Sequence, residues 1–169
     1  MKPLRMLSAC ASLLVLATLF SPAFQARAQM PRDNPDLTEV LHYSLTMDKV
    51  DKMAAAMDAI NKLRASDPAM KARMDAADYS KLPIDQQAKN VDANFPEVTA
   101  LIHSNGLSTR EFILATLAFI NDVGFVAMKK QGTIQSYPPN TITPENAAFV
   151  EANWDKLQQI SHKLSSDEN

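Results

Sequence analysis

Apolar residues recur at helical spacing along most of the chain, and one stretch is apolar nearly throughout. From Phe112 to Met128 the only polar side chains are Thr116, Asn121 and Asp122. A helix that is apolar nearly all round is expected in the interior of a bundle. A membrane span needs about 20 consecutive apolar residues. Because Asn121 and Asp122 interrupt this stretch, the pattern predicts a buried core helix instead.

The ends of this central helix, at about 109–130, carry boundary signals. Ser108 and Glu111 fit a capping box, in which the Ser108 side chain accepts from the Glu111 amide and Glu111 reaches back to the Ser108 amide. At the other end, Lys129 and Lys130 suit the negative pole of the helix. Gly132 then suits a left-handed stop.

The two adjacent polar residues of the central helix fall on different faces. A rotation of about 100° per residue puts Asp122 on one strip with Glu111, Lys129 and the small residues Ala115 and Ala118. We expect that strip to reach water. Asn121 is the predicted buried polar group, because it falls among the large apolar residues Leu114, Leu117, Phe125 and Met128. A buried Asn121 either ties the helix to a neighbour or lines a small pocket.

Helical patterns also precede and follow the central helix. The predicted helices are 37–45, 46–65, 68–77, part of 79–95, 96–105 and 143–164. Residues 37–45 would also suit a strand. Thr46, Asp67 with Pro68, and Thr143 with Pro144 are typical helix starts. The chain therefore predicts an all-α, compact bundle of five to seven helices, with the last two long helices antiparallel across the Tyr137-Pro138-Pro139 loop.

The first 28 residues have the three parts of a secretory signal peptide. Lys2 and Arg5 form a basic start, an apolar run extends over 11–20, and Ala26-Arg27-Ala28 is a small-x-small cleavage site. We expect cleavage after Ala28 and a periplasmic or secreted bacterial protein with no membrane span. A flexible lead-in over 29–35, a single helical domain over 36–164 and a frayed tail over 165–169 complete the predicted organisation.

Charge and cysteine content narrow the classes of partner and cofactor. Cleavage removes three of the 17 basic residues, which leaves 14 against 19 acidic residues and a net charge of −5. That balance argues against nucleic acid and anionic membrane surfaces, which need clustered Lys and Arg. The only cysteine, Cys10, leaves with the signal. Cysteine-ligated metals, covalent haem and thiol catalysis are thereby excluded, and no cofactor is predicted.

A metal site through histidine or methionine is the first candidate chemistry. The three histidines lie in different predicted helices, and we expect His103 and His162 at the surface. Thioethers suit Cu(I), and Met70 and Met74 lie one turn apart on a short helix of small residues. The alternative hypothesis is therefore copper or other metal binding through Met70, Met74 and His42, with Met70 and Met74 as a surface platform. Methionine in a packed core is the ordinary competing explanation.

Two further residues are candidates for ligand binding, Asn121 and Tyr137. The chain has no Gly-x-Ser-x-Gly motif and no glycine-rich phosphate loop, so no catalytic residue is predicted, and an enzyme with a small pocket at Asn121 is the third hypothesis. Tyr137 and the prolines after it either present an aromatic edge to a partner or pack a rigid crossover onto the bundle.

Three C-terminal segments carry a resemblance. They are Gly106-Leu-Ser-Thr-Arg-Glu-Phe112, Lys130-Gln-Gly132 and Pro138-Pro-Asn-Thr-Ile-Thr-Pro-Glu-Asn-Ala-Ala-Phe149. In these the chain resembles an uncharacterised group of exported bacterial all-helical proteins. The resemblance implies the fold and the compartment, and no activity. The leading hypothesis is a non-enzymatic module of the cell envelope that binds a protein partner or a small apolar ligand; the oligomeric state stays open.

Overall fold

The computed structural model describes residues 35–166 of the chain and places eight α-helices and no strand within them. The helices are α1 Pro35–His42, α2 Met47–Ser66, α3 Pro68–Ala76, α4 Ile84–Asn94, α5 Pro96–Ser104, α6 Thr109–Lys130, α7 Pro144–Ala152 and α8 Trp154–Ser166. The predicted signal peptide and most of the predicted lead-in lie outside the described residues, as does the end of the tail, 167–169. The all-α prediction is confirmed; of the segment 37–45, residues 37–42 are helical and 43–45 belong to the turn that follows.

Helix α6 is the centre of the bundle, as its composition predicts. It contacts α1, α2, α4, α5 and α7, and its buried side chains include Leu114, Phe119 and Val126. Among the described helices it is the one long and apolar enough to cross a membrane by length and composition. The core helix of a bundle passes the same test.

The boundaries of α6 follow the local chemistry of the sequence. The Ser108 hydroxyl accepts a hydrogen bond from the Glu111 amide at 3.2 Å, and Gly132 ends the helix with a φ of +73°. The Glu111 carboxylate turns away from the predicted capping box, because it accepts a hydrogen bond from the Tyr43 hydroxyl at 3.4 Å. Half of the predicted capping box is therefore confirmed, and the other half is replaced by a contact with the α1–α2 turn.

The predicted last helix is two helices, and this raises the count above the predicted five to seven. Helix α7 ends before Asn153, whose side-chain amide donates to the carbonyl of Phe149 at 2.8 Å. An asparagine side chain that bonds the backbone in this way competes with helix propagation. Helix α8 starts at Trp154 and continues to Ser166, past the predicted end at Leu164.

Polar side chains connect the helices that surround α6. The Asp36 carboxylate accepts from the Ile84 amide at 3.0 Å, which provides α4 with the N-terminal acceptor that Pro83 lacks. Arg110 on α6 makes two hydrogen bonds of 2.7 Å to Glu39 on α1 and one of 2.6 Å to Asp85 on α4. These contacts hold three helices around one guanidinium at the start of α6.

Candidate functional site

The α6–α7 connection forms one wall of an open groove. Its volume is about 420 Å³, and it lies between this connection and helix α7. Its lining is mostly apolar and small, with Tyr137, three prolines, Ile142 and two alanines. Two charged residues, Lys129 at the end of α6 and Glu151 near the end of α7, also line it. We call this the crossover groove.

The charged residues of the crossover groove hold its aromatic ring. Tyr137 donates its hydroxyl hydrogen to Glu151 at 2.7 Å, and the Lys129 ammonium donates to the same Glu151 oxygen at 3.0 Å. The Lys129 nitrogen also lies 4.5 Å from the centre of the Tyr137 ring. Hydrogen bonds from Tyr137 and Lys129 lower the pKa of Glu151, while burial and the carboxylate raise the pKa of Tyr137. At neutral pH the carboxylate is therefore charged and the phenol is not.

The far end of the same connection is tied to the interior of the bundle through Asn121. Its side-chain amide donates to the Thr141 carbonyl at 2.6 Å, and the Thr141 hydroxyl donates to the Pro138 carbonyl at 2.6 Å. The second amide hydrogen of Asn121 goes to Asp122 at 2.9 Å. An irregular connection is thus fixed at several points. Such ordering before binding lowers the entropic cost of taking up a ligand.

Below the connection, Asp122 and Asn146 form a buried polar pair. Asp122 has no exposed surface and Asn146 is 3 % exposed. The Asn146 amide donates to Asp122 at 2.8 Å and to the Tyr43 carbonyl at 2.9 Å, and its oxygen accepts from the Leu45 amide at 3.2 Å. One side chain on α7 therefore joins α6 to the turn between α1 and α2.

The predicted exposure of Asp122 is wrong. Asp122 is fully buried and Asn121 is the half-buried member of the pair. The strip that carries Asp122 also carries Ala115 and Ala118, which are themselves fully buried. The small side chains of this strip therefore face the interior of the bundle and not water. The sequence pattern does not mark Asn146 as the partner of Asp122. The one local feature of Asn146 is that it lies three residues after the Thr143 cap, to which its backbone amide donates.

The two residues predicted for ligand binding both belong to or contact the α6–α7 connection. Tyr137 is half-buried, packs against the core and lines the crossover groove. Packing of the crossover onto the bundle is therefore confirmed for Tyr137, and its contact with a partner stays a prediction. Asn121 lies below the same connection and does not line the groove, so its contact with Thr141 makes it a support of that wall.

The residues predicted for metal binding belong to different parts of the bundle. Met70 is 3 % exposed and lies in the core, so its prediction as part of a surface platform is wrong; Met74 packs against that core. His42 is exposed at the end of α1, which packs on α6, whereas the helix that carries the methionines packs on α2. His103 and His162 are exposed, as predicted. Within residues 35–166 there is no cluster of three His, Cys, Asp or Glu suited to a metal.

A second groove of similar volume lies between α2 and α8. Ala54, Ala55, Ile160 and Leu164 form its apolar part. Ion pairs of 3.0 Å join Lys156 to Asp51 and Lys163 to Asp58. Four of the nine residues that line this groove are charged, against two of the eleven that line the crossover groove, and none of the nine is aromatic.

Comparison of the chain with protein families, curated proteins and solved structures found no match. The geometry of the chain itself therefore carries the functional argument.

Proposed function

We propose that this protein is an exported, helical binding module of the bacterial cell envelope, and that the crossover groove is its binding site. The observation that carries the proposal is the open groove of about 420 Å³, whose wall is an ordered connection and whose lining is apolar with a few polar groups. Sites for small ligands are concave, mostly apolar and of this size. The secretory signal predicted over 1–28 supports the proposed location.

The occupant in this proposal is a small apolar ligand. The ring of Tyr137 and the side chain of Ile142 offer apolar contact area, and Ala147 and Ala148 leave space on the α7 side. A protein partner would need a larger surface, since stable protein interfaces bury about 800 Å² per partner. The crossover groove alone supplies a site of small-molecule size.

The test uses the uncharged fluorescent probe N-phenyl-1-naphthylamine. We expect saturable fluorescence enhancement with the purified protein. Ala148→Trp fills the groove and removes the enhancement, whereas Ala100→Trp, which adds the same side chain at an exposed position of α5, leaves it unchanged. Equal probe binding by both variants, with both folded by circular dichroism, would reject the crossover groove as the binding site.

A further inference from the structure

The crossover groove has a cationic end, and this feature indicates the class of its ligand. Resting on the function proposed above, we propose that the groove takes a small carboxylic acid with an apolar body, whose carboxylate binds the Lys129 ammonium. The apolar body lies against Tyr137, Ile142 and the two alanines of α7.

The charges at this end of the groove favour an anion. Of the two charged residues that line it, Glu151 already accepts hydrogen bonds from Tyr137 and Lys129. Lys130 follows Lys129 and lies 5.2 Å from the Trp154 ring, and its charge also lowers the pKa of Glu151. Lys130 does not line the groove, but with Lys129 it gives this end a local net charge of +1, which complements a single negative charge.

The Lys129 ammonium has donors available for that charge. An ammonium carries three N–H donors and no acceptor. In the described part of the chain, Lys129 makes one side-chain hydrogen bond, to Glu151. The Tyr137 ring and Glu151 contact the ammonium from two sides, which leaves at least one donor for solvent or a ligand.

The volume sets the size of the apolar body. A groove of about 420 Å³ lies in the lower part of the range for small-ligand sites, roughly 300 to 1,000 Å³. A saturated carboxylic acid of about ten carbons is a ligand of this class. Its chain would cover apolar surface that is otherwise in contact with water, and this burial supplies the main driving force for binding.

The test compares three probes with the same chain length and different head groups: decanoate, 1-decanol and decyltrimethylammonium. Each displaces N-phenyl-1-naphthylamine from the purified protein in a competition titration. We expect decanoate to bind about threefold to fivefold more tightly than 1-decanol, since an exposed ion pair contributes up to about 1 kcal/mol. Decyltrimethylammonium binds most weakly of the three.

Two lysine variants locate the effect. Lys129→Met keeps an apolar stem of similar length and removes the charge, so decanoate loses its advantage over 1-decanol. Lys89→Met removes an exposed lysine on α4 and leaves all three affinities unchanged. Equal affinities for decanoate and 1-decanol, or a decanoate affinity that Lys129→Met does not alter, would overturn the carboxylate inference. Binding of N-phenyl-1-naphthylamine in the groove would then still stand, so the two proposals fail separately.

Discussion

Asn146 is predicted to be the most sensitive polar residue of the bundle. Asn146→Ala deprives the Leu45 amide, the Tyr43 carbonyl and one Asp122 oxygen of a hydrogen bond. A buried polar group left without a partner costs about 1 to 3 kcal/mol. The Leu45 amide and the Tyr43 carbonyl set the scale of this loss, since Asp122 keeps its hydrogen bond from Asn121. Water entering the space of the lost side chain compensates part of it. We therefore expect a loss of about 3 kcal/mol in the free energy of unfolding.

Urea denaturation followed by circular dichroism at 222 nm measures this loss. The matched control is Asn153→Ala, which removes a half-buried asparagine with one side-chain bond, to the Phe149 carbonyl of its own helix. We expect the control to cost less than about 1 kcal/mol. Equal losses for Asn146→Ala and Asn153→Ala would refute the assignment of Asn146 as the link between α6, α7 and the α1–α2 turn.

A charge variant at the same position gives an independent test. Asn146→Asp places a second carboxylate against Asp122, where the amide nitrogen now lies 2.8 Å from it. Two carboxylates at that distance share a proton, so the pKa of one is raised. Because this pKa is raised in the folded state, the variant is most stable at low pH, where the pair keeps its proton, and it loses stability as pH rises. We expect the variant to lose more stability at pH 7 than at pH 5, relative to the unaltered protein.

Further predictions concern the cation at the start of α6, two helix ends and the leader. The Arg110 hydrogen bonds lower the pKa of Glu39, so their contribution to stability is present above about pH 4 and lost as pH falls. Arg110→Gln should lower stability by about 1 kcal/mol at pH 7. The difference in melting temperature between this variant and the unaltered protein should narrow toward pH 3. Gly132→Ala meets no neighbouring atom within 4 Å, so its cost is the backbone strain at φ +73°, about 1 kcal/mol by urea denaturation. Asp36→Ala removes the acceptor of the Ile84 amide and should cost about 1 kcal/mol by the same measurement. Mass spectrometry of protein recovered from the periplasm should show a chain beginning at Gln29; a full-length mass there would contradict the leader assignment.

Much of the fold could be predicted because its boundaries depend on local chemistry. Ser108, Asp67 and Thr143 each accept a hydrogen bond from a backbone amide three residues later, and the proline or glycine beside a helix end acts through its own backbone. These effects involve residues that are close in sequence. A capping pattern in the chain is therefore enough to place a helix end.

The errors have a different cause, since they concern which face of a helix meets a neighbour. The periodicity of α6 puts Asp122 and Asn121 on different faces of the helix, but it does not show which of the two faces packs against a neighbouring helix. Burial of Asp122 depends on Asn146, which is 24 residues away. Met70 was misplaced for the same reason: one turn of spacing to Met74 does not show that the first methionine faces the core.

The candidate site was predictable only in part. Tyr137 and Asn121 were identified as single residues, and their relation through the α6–α7 connection appears only in three dimensions. Lys129 was assigned from the sequence as a helix-end cation, and Glu151 was not singled out. Their meeting at the Tyr137 ring depends on how α7 packs against α6. Contacts between helices of this kind have no local sequence signal.

The central claim is that ligands enter the crossover groove, and a ¹H–¹⁵N chemical-shift titration with N-phenyl-1-naphthylamine tests it most directly. The account predicts that the largest amide shifts fall on Tyr137, Ile142, Ala147 and Ala148, which line the groove. Shifts concentrated on Ala54, Ala55 and Ile160 would place binding in the groove between α2 and α8 and contradict the account.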